Sequence, residues 1–238
     1  MAGAEVVAIQ NRLLANSPRK DYLRLLPHLE MVDLTYSEVL HEPHTRIRHV
    51  YFPNDSLISL LTSVENHRVA EVGLVGAEGI VGVPVVLGHL ESPFLAVVQG
   101  GGTAMRMKAS DLVRESVKSV ALQRECFRFT HLLMAQIAQT AACNRFHVVT
   151  QRMARWLLTT RDRVNANQFR ITHEFLARML GVRRVGVTEA AGTLQKRKLI
   201  SYSRGTVTIL DAKGLTSAAC GCYKTVKDLY RQAQAPRR

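Results

Sequence analysis

Residues 175–194 have the sequence FLARMLGVRRVGVTEAAGTL, and this stretch decides the fold of the C-terminal part of the chain. Ala177 is small enough for two helices to cross closely, Gly181 can adopt the positive φ of a tight turn, and Val187 can pack the second helix onto the first. Residues 199–210, LISYSRGTVTIL, then alternate around Ser-Arg-Gly as a β-hairpin does. Together the two stretches predict a winged helix-turn-helix, and a purely structural helical hairpin is the alternative.

The net charge of the chain lies in the same region. The 238 residues carry +13, yet residues 1–150 contain 14 Lys and Arg against 14 Asp and Glu. Residues 151–238 contain 18 Lys and Arg against 5 Asp and Glu, so they hold the whole net charge. Positive charge confined to one compact region attracts polyanions. Nucleic acid or an anionic surface is therefore the expected partner, and a solvated basic face is the alternative.

The second helix of the motif is expected to present its first residues to the DNA major groove, because its apolar residues share the inward face. The outward residues, which we predict to contact bases, are Arg183, Arg184, Val185, Thr188 and Glu189. Arg can bridge guanine O6 and N7, Glu can accept from cytosine N4, and the Val or Thr methyl groups can contact thymine. The residues predicted to contact phosphates are Thr172, His173, Lys196, Arg197 and Arg204.

The first half of the chain has a different pattern. Four short apolar runs are separated by turn-forming residues, at Val50–Phe52, Leu57–Val64, Val69–Val75 and Phe94–Val98. Strands at this spacing predict a β-sandwich or jelly-roll barrel.

A long helix is predicted next, because residues 120–146 contain neither Gly nor Pro. A narrow seam recurs along it at alternating steps of four and three residues. Its members are Leu122, Cys126, Phe129, Leu133, Gln136, Thr140 and Cys143. Seams of this kind often pair with a second copy, so we expect a dimer contact here. Packing of the seam onto its own domain is the alternative.

The segment from Ile171 to Ile200, with its hairpin, resembles the DNA-binding domain of the Crp/Fnr family of bacterial transcription regulators, and the strand-rich half and long helix are arranged as in that family. The resemblance implies an α+β fold: a jelly-roll-like, cyclic-nucleotide-binding-like β-roll sensor domain at 1–118, a linking and dimerisation helix at 119–147, and a winged helix-turn-helix at 148–238. It implies a homodimer that recognises a palindromic operator in double-stranded DNA, and we expect RNA polymerase as a further partner.

The chain departs from the best-known branches of that family. Members that bind cyclic AMP have a Gly-Glu pair and, after a turn, an Arg-Ser/Thr pair, whereas Val83 takes the acidic position here and residues 92–94, Ser-Pro-Phe, replace the arginine pair. A buried phosphate without arginine would be an unpaired charge, so cyclic AMP is not the expected effector. The oxygen-sensing branch needs an N-terminal cysteine cluster for its iron–sulfur centre, and residues 1–125 contain no cysteine.

The second helix also departs from the family pattern. Only Arg184 matches the guanine-reading arginine of the family, because Val185 and Glu189 replace a usual Glu and Arg. The operator is therefore expected to differ from the best-known consensus.

Two further patterns concern metals. His41, His44 and His49 could hold a metal or haem in a jelly-roll enzyme of the cupin type, but they lack the His-x-His pair and following Glu of cupins. Cys220 and Cys222 form a CxC pair with no second pair nearby in the sequence, which is too little for a closed zinc site. No metal or other cofactor is therefore expected, and a redox role for the CxC pair is left open.

The expected function is a sequence-specific transcription regulator and not an enzyme, because the sequence shows no nucleophile with its base, P-loop or dinucleotide fingerprint. The alternatives are a cupin-like metal-dependent enzyme with a basic tail and a nucleoid-associated protein that binds DNA without specificity. The cytoplasm is the expected location. The four cysteines are irregularly spaced and residues 1–5 contain no basic segment, which argues against secretion. No apolar run approaches the ~20 residues of a membrane span. The effector is not identified by the sequence.

Overall fold

The computed structural model describes residues 10–64 and 68–234. Residues 1–5, whose composition argues against a secretion signal, lie outside the described residues. The helices are α1 Arg12–Ala15, α2 Arg19–Leu25, α3 Val83–Val86, α4 Ala109–Lys118, α5 Val120–Phe146, α6 Val149–Val164, α7 His173–Leu180, α8 Arg184–Lys196, α9 Ala212–Ala218 and α10 Cys222–Gln234. The strands are β1 Glu30–Leu34, β2 Val39–His41, β3 His49–Pro53, β4 Leu57–Val64, β5 Arg68–Val75, β6 Leu95–Gly100, β7 Gly102–Lys108, β8 Gln168–Arg170, β9 Ile200–Ser203 and β10 Thr206–Ile209.

The first seven strands form a β-roll of two antiparallel sheets, with strand orders β1-β7-β3 and β2-β6-β4-β5. The core between the sheets includes Phe52, Ile58 and Val98, all fully buried, and it is closed on one side by the inner face of α5. The four predicted apolar runs coincide with β3 to β6, which confirms the predicted strand-rich half. Strands β1, β2 and β7 were not predicted individually.

Helix α5 has the bounds that the sequence predicts, but its predicted seam faces its own chain. Ser119 caps the helix by accepting a hydrogen bond from the backbone N–H of Leu122 at 3.1 Å. All seven seam residues are buried within the single chain: Leu122, Cys126, Phe129, Leu133, Gln136, Thr140 and Cys143. The assignment of these residues to a dimer contact is therefore wrong.

The buried polar side chain of Gln136 in that seam receives hydrogen bonds from elements that are distant along the chain. Gln136 Oε1 accepts a hydrogen bond from the Tyr230 hydroxyl of α10 at 2.7 Å, and Arg163 of α6 approaches the same oxygen at 3.4 Å. Leu132 packs beside them against Val226 and Tyr230. The four-and-three period of the seam residues thus results from packing of α5 onto the β-roll and α10.

The opposite side of α5 has the same period and is open to solvent. Its exposed residues, which we call the exposed stripe, are Val120, Arg124, Phe127, His131, Met134, Ala138, Ala141 and Arg145. Three large apolar side chains dominate it, with Val120 61%, Phe127 49% and Met134 64% exposed. Large apolar side chains at coiled-coil spacing on an open helix face are typical of a helix that pairs with another helix.

The C-terminal part surrounds a second core that includes Trp156, Leu176 and Leu194. Its sheet has the order β8-β10-β9, so the predicted hairpin is confirmed and gains a third strand that was not predicted. The turn residues Arg204 and Gly205 have φ of 48° and 75°, as a two-residue type I′ hairpin requires. None of the helices that the structure describes is both long and apolar enough to span a bilayer.

Candidate nucleic-acid interface

Helices α7 and α8 form the predicted helix-turn-helix. The Thr172 side chain caps α7 by accepting from the backbone N–H of Phe175 at 3.1 Å, and Gly181 ends α7 with φ of 60°. The helices are joined by residues 181–183 and pack through buried residues that include Ala177 and Val187. The three small or apolar positions identified from the sequence thus have the expected structural roles.

The start of α8 projects the predicted base-contacting side chains into solvent. Inward residues of the helix, Val187, Ala190, Ala191 and Leu194, are buried. The five predicted base-contacting residues are all exposed: Arg183, Arg184, Val185, Thr188 and Glu189. Val185 is an isolated apolar side chain on this surface, with 61% of its area open. The first turns of α8 therefore offer cationic, anionic, hydroxyl and methyl groups together, which is the mixture that base edges in a major groove can discriminate.

His173 lies between the two helices and the hairpin. Its Nδ1 is 3.1 Å from Thr188 Oγ1, and its ring centroid is 4.4 Å from that of Tyr202. The Thr188 hydroxyl donates to the Arg184 carbonyl, so the imidazole Nδ1 carries the proton that it shares with Thr188. Burial, and then the charge of Arg184, lower the pKa of His173.

A neutral His173 changes its predicted role. Nε2 is left as an acceptor, and it is buried without a hydrogen-bond partner among the described residues. An acceptor cannot bond a phosphate oxygen, so the imidazole is poorly suited to the predicted phosphate contact. The side chain instead links α7 to α8 and to the hairpin through its contacts with Thr188 and Tyr202. Only the backbone N–H of His173, at the start of α7, remains suited to a phosphate.

The other predicted phosphate contacts fall into two groups. The backbone N–H of Ile171 donates to Gly205 O at 2.7 Å, so the hairpin turn with exposed Arg204 lies beside the exposed Thr172. Lys196 and Arg197 are also exposed, but at the far end of α8, roughly 18 Å along the helix axis from Arg184 at 1.5 Å per residue. The structure thus brings Thr172 and Arg204 to the start of the motif and leaves Lys196 and Arg197 apart from it.

The helix-turn-helix packs against the β-roll. A Cβ on Gly181 would lie 3.0 Å from the Cβ of Ala70, and the ring of Tyr36 is 5.3 Å from that of Phe175. These contacts join the helix-turn-helix to the β-roll, and the predicted base-contacting residues at the start of α8 remain exposed. Sequence reasoning did not find these contacts, since they join residues more than a hundred positions apart.

A groove of about 720 Å³ lies between the β-roll and α5. Its lining includes Val83, Leu87, Phe94, Leu133 and Met134, and the only ionisable side chains among the described lining residues are His89 and Glu91. Such a groove supplies no cation for a cyclic phosphate.

The three N-terminal histidines do not form a metal centre in the part of the chain that the structure describes. Nε2 of His41 is 2.8 Å from the His49 carbonyl, and burial lowers the pKa of His41. His44 occupies a turn with φ of 59°. The one group of candidate metal ligands found within residues 10–64 and 68–234 lies elsewhere, at the end of α5. The metal-dependent alternative thus loses its proposed site.

A family model described as the Crp-like helix-turn-helix domain matches residues 151–218. No curated protein sequence matches the chain. The matched range contains α7, α8 and the hairpin, which are the elements that carry the candidate interface.

Solved structures share the fold of the whole chain. A transcriptional regulator of the Crp/Fnr family from Eubacterium rectale has a TM-score of 0.70 at 15% identity, covering 87% of this chain and 96% of that one. FixK2 from Bradyrhizobium japonicum has a TM-score of 0.69 at 12% identity, covering 81% and 98%. The c-di-GMP-responsive regulator CLP from Xanthomonas campestris has a TM-score of 0.64 at 17% identity, covering 81% and 99%. The chain thus has the Crp/Fnr-type regulator fold with a Crp-like helix-turn-helix domain.

Proposed function

We propose that this chain is a sequence-specific transcription regulator that binds double-stranded DNA through the start of α8. The observation that carries the proposal is the exposure of five chemically mixed side chains there, within the region that holds the whole net charge. In this proposal residues 1–118 form the sensor domain, 119–147 the linking and dimerisation helix, and 148–238 the DNA-binding domain. RNA polymerase is a further partner, no catalysis is involved, and the four free cysteines suit a reducing cytoplasm.

The proposed regulator acts as a homodimer through the exposed stripe of α5. Phe127 and Met134 are seven residues apart, and small Ala138 and Ala141 follow them, so two copies of the helix can approach closely along one line. A two-fold dimer places two α8 helices in successive major grooves, which predicts half-sites about 10 bp apart in a palindromic operator.

Selection of bound molecules from random duplex DNA tests the proposed function directly. We expect enrichment of a palindrome, and we expect binding to weaken steeply with salt because several phosphates are neutralised together. A salt-dependent protein that enriches no site would instead support the nucleoid-associated alternative.

Substitution of two arginines separates base recognition from phosphate binding. Arg184→Ala should reduce discrimination between the best operator and its single-base variants by ~1–3 kcal/mol, whereas Arg204→Ala should weaken all duplexes alike and lower the salt slope by about one unit. Fluorescence anisotropy over a salt series measures both effects. Arg231→Ala, which removes an exposed charge on α10, is the control and should change neither quantity. Equal behaviour of the Arg184 and Arg204 variants would contradict the assignment.

The dimer interface is tested by a charge on the exposed stripe. Met134→Glu should raise the dimer dissociation constant at least tenfold, because two buried carboxylates would repel each other across the two-fold axis. Sedimentation equilibrium measures this constant. Val117→Glu places the same charge at an apolar position of α4 that is 74% exposed and outside the stripe, and it should leave the dimer intact. A Met134→Glu variant as dimeric as the native chain would exclude this interface.

A further inference from the structure

Three cysteines and one histidine meet where α5 ends and α10 begins. Cys143, Cys220 and Cys222 are buried, His147 is half-buried, and the four ligand atoms all lie within 4.8 Å of one another. Cys143 Sγ is 3.5 Å from Cys220 Sγ, and Cys222 Sγ is 3.7 Å from His147 Nδ1. The CxC pair has no second pair nearby in the sequence, but folding brings Cys143 and His147 to it.

The spacing of these atoms fits one tetrahedral ion. Zn–S bonds of about 2.3 Å and Zn–N bonds of about 2.0 Å place tetrahedral ligand atoms roughly 3.5–3.8 Å apart. The two separations observed here fall on this range. An iron–sulfur cluster would have to place several iron and sulfide atoms between the thiolates, and the group is too tight for that.

The backbone of each element suits the ligands that it carries. Cys143 and His147 are four residues apart, so they lie on one side of the last turn of α5, at the negative end of the helix. Cys222 is the first residue of α10, where backbone N–H groups favour a thiolate. Gln139 Nε2 donates to Cys222 Sγ at 3.0 Å, which orients that sulfur.

Two buried arginines, Arg152 and Arg155, supply positive charge beside the group. Arg155 is only 8% exposed, its Nε has no hydrogen-bond partner among the described residues, and its positive charge acts on both Cys143 and Cys220. Three thiolates and one Zn²⁺ carry a net charge of −1 together. The guanidinium groups of Arg152 and Arg155 both act on Cys143 and Cys220, so they offset that negative charge at a place where burial makes an unpaired charge costly.

We propose that Cys143, His147, Cys220 and Cys222 bind one Zn²⁺ ion, which fixes the junction between α5 and α6 to the start of α10. His147 ends α5 and Val148 precedes α6, so the ion would hold the hinge between the long helix and the DNA-binding domain. Binding releases the remaining thiol protons to solvent, and the binding free energy adds to the stability of the folded state. Metal binding is measured without DNA, so this proposal can fail or succeed independently of the proposed function.

Elemental analysis of the full-length chain, purified under reducing conditions and dialysed with Zn²⁺, is the first test. We expect one zinc per chain in the native protein and at least a tenfold lower content in Cys222→Ala and His147→Ala. Cys126→Ala is the matched control, because Cys126 is a buried cysteine of the same helix outside the group. Its zinc content should stay at one. A native chain without zinc, or equal losses in the Cys126 and Cys222 variants, would overturn the proposal.

Cobalt substitution tests the ligand set independently of stability. The apo chain titrated with Co²⁺ alone should show the intense visible bands of a tetrahedral thiolate site and saturate at one ion per chain, and His147→Ala should alter those bands. Only weak octahedral absorption, or a Cys143–Cys220 disulfide in the reduced preparation by mass spectrometry, would overturn the proposal. Removal of zinc by a chelator should also lower the melting temperature of the native chain, and an unchanged melting temperature would exclude the role at the hinge.

Discussion

The free energy of unfolding of the native chain is expected to fall by about 3 kcal/mol as the pH rises from about 4.5 to about 7, and replacement of Glu71 by Gln is expected to remove this fall. Burial raises the pKa of Glu71 from 4.5 to about 7, against the opposing effects of a hydrogen bond from Ser59 and the charge of Arg155. At about 1.4 kcal/mol per pKa unit, this difference sets the magnitude. The folded chain retains the proton across that range while the unfolded chain releases it, so the free energy of unfolding falls with rising pH.

The hydrogen-bond geometry independently favours a protonated Glu71. Trp156 Nε1 donates to Glu71 Oε1 at 3.1 Å, while Ser59 Oγ lies 2.7 Å from both Glu71 Oε2 and Gln99 Oε1. The single hydroxyl proton of Ser59 cannot serve two acceptors. A protonated Glu71 donates to Ser59, which then donates to Gln99, and Gln99 Nε2 donates onward to Thr160 at 2.9 Å. In the Glu71→Gln variant, the side-chain amide can make the same contacts at every pH.

Urea unfolding between pH 4.5 and 8 measures this effect. The Glu71→Gln variant should match the native chain at the low end and exceed its stability by about 3 kcal/mol at pH 8. Glu91→Gln, the same chemical change at an exposed position, should keep the native pH dependence. If the free energy of unfolding changes with pH in the same way for the native and Glu71→Gln proteins, the raised pKa of Glu71 is contradicted.

The substitution Gly79→Ala should destabilise the chain by about 3 kcal/mol, the upper end of typical overpacking costs. A Cβ at this position would lie 2.1 Å from Cε2 and 2.2 Å from Cζ of Phe129. Phe129 is 2% exposed and belongs to the core that joins the β-roll to α5, so its ring has little room to move away. The added methyl group must therefore shift the helix or the turn.

A second glycine supplies the control for this prediction. A Cβ on Gly192, inside α8, meets nothing within 4 Å, so Gly192→Ala should stabilise the chain by about 1 kcal/mol through helix propensity. Denaturant unfolding monitored by circular dichroism compares the two variants. Adding Phe129→Leu to Gly79→Ala should recover part of the loss, since it removes the clashing ring atoms. A Gly79→Ala variant as stable as the native chain would show that α5 can shift freely against the β-roll.

Much of the candidate interface could be predicted from local signals. The small residues of the helix-turn-helix, the turn of the hairpin and the bounds of α5 depend on interactions between near neighbours in the chain, which the sequence displays directly. The order of exposed and buried residues along α8 likewise follows from helical geometry. The role of His173 could not be predicted in this way, because its contacts with Thr188 and Tyr202 and the burial that lowers its pKa depend on how separate elements pack.

By itself, the sequence determined the strands β3 to β6, the long helix α5 and the helix-turn-helix with its hairpin, as well as where the positive charge lies and which side of α8 is open. Only the tertiary structure decided which side of α5 faces its own chain, because a four-and-three period is present on both sides of that helix. Buried Gln136 is satisfied by Tyr230, while apolar Met134 stays exposed, and neither outcome follows from hydropathy alone. The same holds for Cys143 and Cys220, which meet only because α10 packs back onto α5. Local sequence allows either face of such a helix to be buried. Contacts with residues distant along the chain decide which face is buried and which side chains meet.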